Sequence, residues 1–452
     1  MNQEMQSEAG LTLTDQVLEA AAASARNSGG EARAMVASCL LDWTACAIAG
    51  AREPLVDILA ADALEFGRAG DWPLIGREER VGLREAVLVN GAAGHALDYD
   101  DGLAAMLGHP SVAIAPALLS LAAHLGTTGP ELVTAYLVAV EFGSRVGRLL
   151  APGHYQRGFH GTATAGALGA AAGCAYLLGL EGQERAHAIG LAATRAAGLK
   201  ASFGTMAKPL HPGWAATVGL TAAQWAQRGY TGAADILGHP TGLRTLSDDF
   251  NPANALADAA PYILQVRFKR HAACAGTHPT IEAMRSLRQE HGLIADRITN
   301  ATIRVPRQLD SVCNQQVADT GLKAKFSLRM VSAMALAGID TAAPESFSDI
   351  VMADPGLRRL FEQTRVELND ETNLTLSRVT VDLEDGSSLE GLCDLSSTTA
   401  ANEMAAVPPK FAALVAPVLG EEGAGALEAA ITGLDSGARP RQVLELAALS
   451  AR

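Results

Sequence analysis

Aromatic residues are scarce in this sequence: they make up 4% of its 452 residues, although 48% of the residues are hydrophobic. A core with so few large rings must be built mainly from Ala, Leu and Val, with Gly at the closest contacts. Such a composition favours tightly packed helices. Because the chain exceeds the size at which one hydrophobic core usually stops growing, we expect two domains.

The sequence also lacks the features that mark several classes of protein. Its six cysteines form no CxxC pair, which argues against a zinc ribbon or a disulfide framework and fits a reducing compartment. It has no basic run and a formal net charge of −14, so no nucleic-acid partner is expected. Residues 1–14 lack the pattern of a signal peptide, and the apolar run 112–125 is too short to span a bilayer. We therefore predict a cytoplasmic protein with no membrane partner.

Common catalytic and cofactor-binding motifs are missing as well. No GxSxG occurs, so a serine hydrolase is poorly supported. No GxGxxG follows a strand, so a bound dinucleotide is not expected. The glycine-rich stretch 161–173 (GTATAGALGAAAG) is not followed by Lys–Ser/Thr and is not a phosphate loop. Its small residues instead predict a helix that other helices approach closely.

The hydrophobic periodicity changes once along the chain. From residue 11 to about 267 it is almost entirely helical, and the predicted helices are 31–51, 83–98, 111–125, 129–150, 162–178, 184–197, 212–228 and 233–237. Further on, 300–306, 378–383 and 388–394 read as strands, between helices at 280–290, 324–337 and 354–364. We predict a mainly α fold with a large all-helical domain (1–267) and a smaller α+β domain (268–400). The helical tail 401–452 packs back on the first domain or closes the second.

Ionisable residues gather in four short segments between apolar helices. In the first, 95–111, three carboxylates fall within four residues and repel one another unless they are solvated or matched by cations. Asp98 and His109 belong to this segment, which is either part of a cleft or an acidic helix end. The second, 153–162, carries His154, Tyr155, Arg157 and His160 just before a helix, whose N-terminus attracts carboxylates. Its alternative is a polar loop with a structural histidine.

The third and fourth segments add cations. Segment 204–213 places Lys208 and His211 on a proline-restricted backbone, with Pro212 expected at a helix start, and this suits a charge that grips an anion. Segment 267–279 carries Lys269, His271 and Cys274 at the domain junction, where a cleft for a polyanion would need them. A surface lysine and a solvated basic linker are the respective alternatives. Cys274 lies four residues before a histidine, but no second ligand pair is evident, so no metal is predicted.

Together these residues supply acids, bases and cations without a recognisable cofactor site. Such a set supports general acid–base chemistry, in which one group takes a carbon-bound proton and cations stabilise the enolate-like charge. The expected substrate is a small anionic carboxylate. The alternative is a non-catalytic helical binding protein in which the four segments are merely loops.

Taken in order, the phrases NGAAGHALDYDD, GHPS, RGFHGTAT, GTMAKPLHPGWAA, FKRHAACAGTHPTIEA and AKFSL resemble the MmgE/PrpD family. That family includes 2-methylcitrate dehydratase, cis-aconitate decarboxylase and iminodisuccinate epimerase. The resemblance implies a helical domain with a smaller α+β lid, an active site between them, a homodimer and no metal or organic cofactor. By motif, the residues that would bind substrate carboxylates and handle the proton are Asp98, His109, His160, Lys208 and Lys269.

The resemblance leaves the reaction open. We predict a lyase similar to 2-methylcitrate dehydratase, with His160 or His109 handling the proton. Substrate binding is expected at Lys269, Arg157, His211, His271 and Cys274. Epimerisation of an imino- or amino-dicarboxylate is the second possibility, with Tyr155 as the acid.

Three positions depart from the pattern of the family: one from its decarboxylase branch (Cys274), one from many relatives (Met330) and one near the first motif (Gly102). Cys274 stands for a histidine, Met330 for a tyrosine and Gly102 for a hydroxyl-bearing residue. The first two changes each remove a hydrogen-bonding side chain. We therefore expect cis-aconitate decarboxylase activity to be absent.

Overall fold

Helices make up most of the N-terminal part of the chain. The computed structural model describes residues 10–257 and 261–449. Its N-terminal helices are α1 (Leu13–Arg26), α2 (Gly30–Gly50), α3 (Pro54–Glu65), α4 (Leu83–His95), α5 (Pro110–Leu125), α6 (Gly129–Leu150), α7 (Gly153–Gln156), α8 (Gly161–Leu177), α9 (Gly182–Ala193), α10 (Ala207–Ala226) and α11 (Pro252–Leu256). A two-stranded hairpin of β1 (Trp72–Pro73) and β2 (Arg80–Val81) precedes α4. The mainly α fold predicted from the sequence is confirmed.

Helix α8, the small-residue stretch, lies among α5, α6, α9 and α10. Its small side chains let these neighbours approach closely, and Gly219 of α10 shows how closely. A Cβ atom at Gly219 would lie 2.5 Å from the Cβ atom of Ala170 on α8. The predicted packing role of 161–173 is therefore confirmed.

A mixed four-stranded sheet occupies the C-terminal part. Its strands, β3 (Ile298–Pro306), β4 (Thr364–Asn369), β5 (Leu376–Leu383) and β6 (Ser388–Asp394), lie in the order β4-β3-β5-β6. Strand β4 is parallel to β3, and the other two pairs are antiparallel. The helices in this part are α12 (His278–His291), α13 (Asp310–Cys313), α14 (Gly321–Ala324), α15 (Leu328–Ala337), α16 (Asp349–Met352) and α17 (Pro355–Gln363). Helix α12 packs against β5 and β6, and α15 packs against α12 and α17.

The C-terminal helices are α18 (Ala400–Thr432), which is interrupted at Gly420, and α19 (Pro440–Ala447). Helix α18 packs against α2, and α19 packs against α5. Helix α2 is long and apolar enough to cross a membrane by length and composition alone. However, 72% of its apolar window is buried inside the protein, as in a core helix.

Two sequence-based predictions differ from the structure near the site. Residues 233–237, predicted as a helix, form turns and coil. Helix α10 begins at Ala207 rather than Pro212, so Pro212 lies inside the helix and Lys208 lies in its first turn. Pro212 is the sixth residue of this helix, so its missing N–H group removes the hydrogen bond that the carbonyl of Lys208 would otherwise accept. Of the polar segment 1–14, residues 1–9 lie outside the described residues.

Candidate active site

Asp98 lies at the centre of a buried ionic cluster, three residues after the end of α4. The ammonium groups of Lys208 and Lys269 both contact its carboxylate oxygen Oδ1, the latter at 3.0 Å. Burial alone would raise the pKa of Asp98, but the two lysines outweigh it and hold the pKa below its usual value. Asp98 also has a φ of 51°, a left-handed conformation that is uncommon for a residue other than glycine. Such backbone outliers cluster at functional sites.

Lysines also hold the main chain around Asp98. Three successive carbonyl groups each accept a hydrogen bond from a different lysine. The pairs are Lys325 with Leu97 (2.7 Å), Lys269 with Asp98 (2.7 Å) and Lys410 with Tyr99 (2.6 Å). Burial lowers the pKa of Lys325 to about 8. Lys410, on α18, also bonds the buried carboxylate of Asp42 on α2 at 2.6 Å. The Asp98 loop is thus fixed by groups from the C-terminal part of the chain.

Two histidines stand at adjacent helix starts facing this loop. His109 is the N-cap residue of α5 and His160 that of α8. The two starts touch because glycines precede and follow them: a Cβ at Gly108 would lie 2.4 Å from the amide nitrogen of Thr162. The amide of His109 donates to the hydroxyl of Thr162 at 2.9 Å. Both helix N-termini and both lysines therefore favour an anion here.

A third histidine, His95 at the end of α4, completes a cluster of imidazoles. One ring nitrogen each of His95, His109 and His160 lie within 4.8 Å of one another, and Nδ1 of His160 is 3.0 Å from Nδ1 of His211. Burial lowers the pKa of His95 to about 3 and that of His211 to about 4, and it also lowers the pKa of His160. At neutral pH these three rings are therefore uncharged, and they are weaker bases than a free imidazole. Three such imidazoles could also hold a transition-metal ion.

The structure brings together most of the site residues predicted from the sequence. Asp98, His109, His160, Lys208, His211 and Lys269 all belong to the buried cluster. Cys274 lies beside it, and its pKa is lowered by a hydrogen bond from Cys313, with the nearby lysines adding to the effect. Tyr155 is half-buried, and burial together with the charges of Cys274, Cys313 and Asp98 raises the pKa of its phenol.

Two predicted substrate-binding residues are placed elsewhere. Arg157 binds the carboxylate of Asp248 at the surface, where its side chain is 41% exposed. His271 uses both ring nitrogens in the fold, with Nε2 2.6 Å from Glu282 and Nδ1 2.8 Å from the hydroxyl of Thr341. Both side chains thus have other partners in the structure, and their role in substrate binding stays a prediction. Each was inferred from its position beside other cations, and sequence adjacency does not fix side-chain direction.

Comparison with known proteins agrees with this architecture. The model of the MmgE/PrpD N-terminal domain matches residues 13–253, and that of the MmgE/PrpD C-terminal domain matches residues 271–436. The chain belongs to the MmgE/PrpD family.

Several curated proteins that resemble this chain are named as cis-aconitate decarboxylases or as similar to them. Cis-aconitate decarboxylase of Homo sapiens is 29% identical over 334 residues, which cover 68% of this chain and 67% of the human protein. Cis-aconitate decarboxylase of Aspergillus terreus is 28% identical over 293 residues, covering 61% of this chain and 60% of the fungal protein. A cis-aconitate decarboxylase-like protein of Aspergillus oryzae is 28% identical over 56% of each chain. The matched part is thus less than two thirds of each fungal protein. These similarities support a lyase-type enzyme.

Three residues of this MmgE/PrpD site were not among the site residues predicted from the sequence: His95, Asp100 and Lys325. All three occur in the phrases that carry the family resemblance, so the signal was present but was not assigned to side chains. His95 and Asp100 form a hydrogen bond of 2.7 Å within the acidic segment. Lys325 sits between small and aromatic neighbours in AKFSL and is buried. A lysine within a buried apolar stretch was the available clue.

Proposed function

We propose that this chain is a lyase that removes water from a small hydroxylated di- or tricarboxylate, in the manner of 2-methylcitrate dehydratase. The proposal rests chiefly on one observation: Lys208 and Lys269 converge on Asp98 beside uncharged, buried imidazoles. Carbon acids next to a carboxylate are weak. Catalysis therefore needs cations to stabilise the charge that develops on that carboxylate and a neutral base to take the proton.

The site contains both the cations and the neutral bases that this reaction needs. A substrate carboxylate would bind near the two lysines and the N-termini of α5 and α8. An imidazole of His109 or His160 would take the proton from carbon, while the electron pair moves toward the carboxylate and then expels the hydroxyl group. The hydroxyl group leaves with a proton as water, so substrate loses one water molecule in total. No metal or organic cofactor takes part in this scheme.

Decarboxylation of cis-aconitate is the second candidate, because the curated relatives carry that name. It would use the same cations for a carboxylate and would return a proton to carbon after CO₂ leaves. Two residues weigh against it. By the motif resemblance, Cys274 stands where the decarboxylase branch carries a histidine, and Met330, which is fully buried on α15, stands where many relatives carry a tyrosine. Epimerisation of an imino- or amino-dicarboxylate is the third candidate, since the protonated phenol of Tyr155 could return the proton from another side.

One experiment separates these reactions. The purified protein is incubated in D₂O with a panel of citrate-like, methylcitrate-like and aspartate-derived carboxylates, and exchange and products are followed by NMR. Formation of an alkene with loss of water supports the proposal. Release of CO₂ supports decarboxylation, and deuterium uptake without loss of water supports epimerisation. No change in any substrate, together with no rise of the melting temperature in their presence, would support the non-catalytic alternative.

Two variants test whether turnover depends on residues of the site. Lys208→Ala and His160→Ala are expected to fold and to lose turnover, whereas Lys323→Ala, a surface lysine paired with Asp319, is the matched control. Near-wild-type rates in the first two variants would contradict the proposal.

The assembly and location stay proposals as well. We propose a cytoplasmic homodimer in which the α+β part acts as a lid over the helical part. Sedimentation of the purified protein tests the dimer, and small-angle scattering with and without a substrate of the panel tests lid closure.

A further inference from the structure

Asp100 lies fully buried between two imidazoles of the cluster. Its Oδ1 is 2.7 Å from Nδ1 of His95, and its Oδ2 is 3.1 Å from Nδ1 of His109. Nδ1 of His109 is also 2.7 Å from the main-chain oxygen of Asp101, which is the better aligned acceptor. On both rings, therefore, Nδ1 faces oxygen and Nε2 is the nitrogen left for other chemistry.

The charges of these groups follow from burial and from one another. Burial opposes the charge of Asp100, but the two imidazoles outweigh it and hold the pKa of Asp100 well below its usual value. Burial lowers the pKa of His95 to about 3 in spite of Asp100. Nδ1 of His95 lies within hydrogen-bond distance of Oδ1 of Asp100, so His95 donates its Nδ1 proton to this carboxylate. The Nε2 atom of His95 is buried without a hydrogen-bond partner among the described residues, 3.9 Å from Oδ1 of Asp98.

We propose that His95 holds Asp100 so that its carboxylate lies beside the ring of His109, and that His109 is the group that takes the carbon-bound proton. This inference rests on the proposed lyase function and assigns roles within its site. Among the clustered rings of His95, His109 and His160, that of His109 is the most exposed, with 15% of its side chain accessible to solvent. The side chain of His95 is fully buried. A base must reach the substrate, so the accessible ring is the better candidate.

The proton balance is complete within these residues and the substrate. Nε2 of His109 accepts the proton from carbon, and the C–H electron pair moves toward the substrate carboxylate held by the lysines. The imidazolium formed is stabilised by the negative charge of Asp100, and the carbonyl of Asp101 holds the ring orientation. The same proton then leaves with the hydroxyl group as water, which restores neutral His109.

Other charged and titratable groups lie near Asp100, His95 and His109 and influence their charges. Those that face them from the surrounding elements are Asp98, Lys208, His160, Lys269, Asp42 and Asp101. None of them contacts Nδ1 of His95, so Asp100 is the carboxylate that determines which nitrogen of His95 carries the proton.

The kinetic test uses Asp100→Asn on the substrate found with the carboxylate panel. We expect kcat to fall by about 10²-fold, as for loss of general acid–base assistance. KM should stay within about threefold because the lysines that bind the carboxylates are unchanged. Glu141→Gln removes a buried carboxylate that accepts from the amide of Tyr262, away from the site, and is the control.

A second measurement does not depend on turnover. In protein labelled with ¹⁵N-histidine, the hydrogen bond from His95 to Asp100 should give a downfield Nδ1–H resonance. The resonance should be absent in Asp100→Asn and in His95→Gln and present in Glu141→Gln. Persistence of this resonance in Asp100→Asn, or a kcat of that variant equal to that of the wild type, would overturn the inference. A wild-type protein that turns over no carboxylate would instead overturn the proposed function, while the resonance still decides whether Asp100 holds His95.

Discussion

Lys269 contacts Asp98 at two places: its Nζ lies 3.0 Å from the carboxylate oxygen Oδ1 and donates to the main-chain oxygen at 2.7 Å. One ammonium group therefore fixes both the side chain and the unusual backbone of the same residue. Because Lys269 lies at the junction of the helical and α+β parts, the acidic loop and the junction segment take their positions together.

Removing the charge of Asp98 should destabilise the fold as well as stop turnover. Asp98→Asn leaves Lys208 and Lys269 buried without an anion, and breaking a buried ion pair in this way costs about 3–5 kcal/mol. Urea denaturation measures the loss. The control is Asp248→Asn at the surface pair with Arg157, where both side chains are more than one third exposed and the change should be within about 0.5 kcal/mol. Equal effects in the two variants would mean that the central pair is not buried in solution.

Stability should fall in mildly acidic solution because of the buried histidines. The pKa of His95 is lowered by burial to about 3 and that of His211 to about 4, against about 6.5 in an unfolded chain. The unfolded state thus binds protons more readily. The stability that these rings contribute is present above about pH 6.5 and is lost as the pH falls from there toward 4.

Denaturation at several pH values between about 7 and 4 tests this dependence. His95→Gln should make the dependence shallower, whereas His239→Gln, at an exposed histidine, should leave it as in the wild type. A wild-type stability that is flat across this range would contradict neutral, buried rings.

Lys410 should contribute to the stability of the fold, although it lies far from the site residues in the sequence. Its ammonium group bonds both Asp42 and the carbonyl of Tyr99, each at 2.6 Å. Lys410→Met leaves a buried carboxylate unpaired and should cost about 3–5 kcal/mol. The double variant Lys410→Met/Asp42→Asn should recover part of that loss, and a double-mutant cycle measures the coupling. Strictly additive losses would show that the two side chains do not interact.

Arg157→Ala should keep kcat and KM within about twofold of the wild type. Its guanidinium is held by Asp248 and by the main-chain oxygen of Thr245, so it has no free donor directed at the cluster. Steady-state kinetics on the panel substrate measures this. A large rise of KM would restore Arg157 to the substrate site.

Local patterns predicted the helices well because each carries its own signals. The segment 129–150 matches α6 at both ends, where Thr128 and Glu131 form a capping box that the sequence displays. Strand β4 escaped prediction because it follows α17 with no turn between them. Residues 233–237 have helical composition but form turns, since their neighbours rather than their own propensity decide their backbone.

The candidate site could be predicted only in part. Residue type and order indicated Asp98, His109, His160, Lys208 and Lys269, and the structure joins them. The hydrogen bond of His95 to Asp100 could not be predicted, because it depends on the left-handed turn at Asp98 that no sequence pattern announces. The same holds for Lys410, whose partners lie 368 and 311 positions away in the chain.

The carbonyl groups that bind Lys269, Lys325 and Lys410 precede those lysines by 171, 228 and 311 residues. A growing polypeptide therefore has all four clustered histidines long before it has the ammonium groups that shape the loop between them. Competence for catalysis would come last during synthesis, when α18 docks.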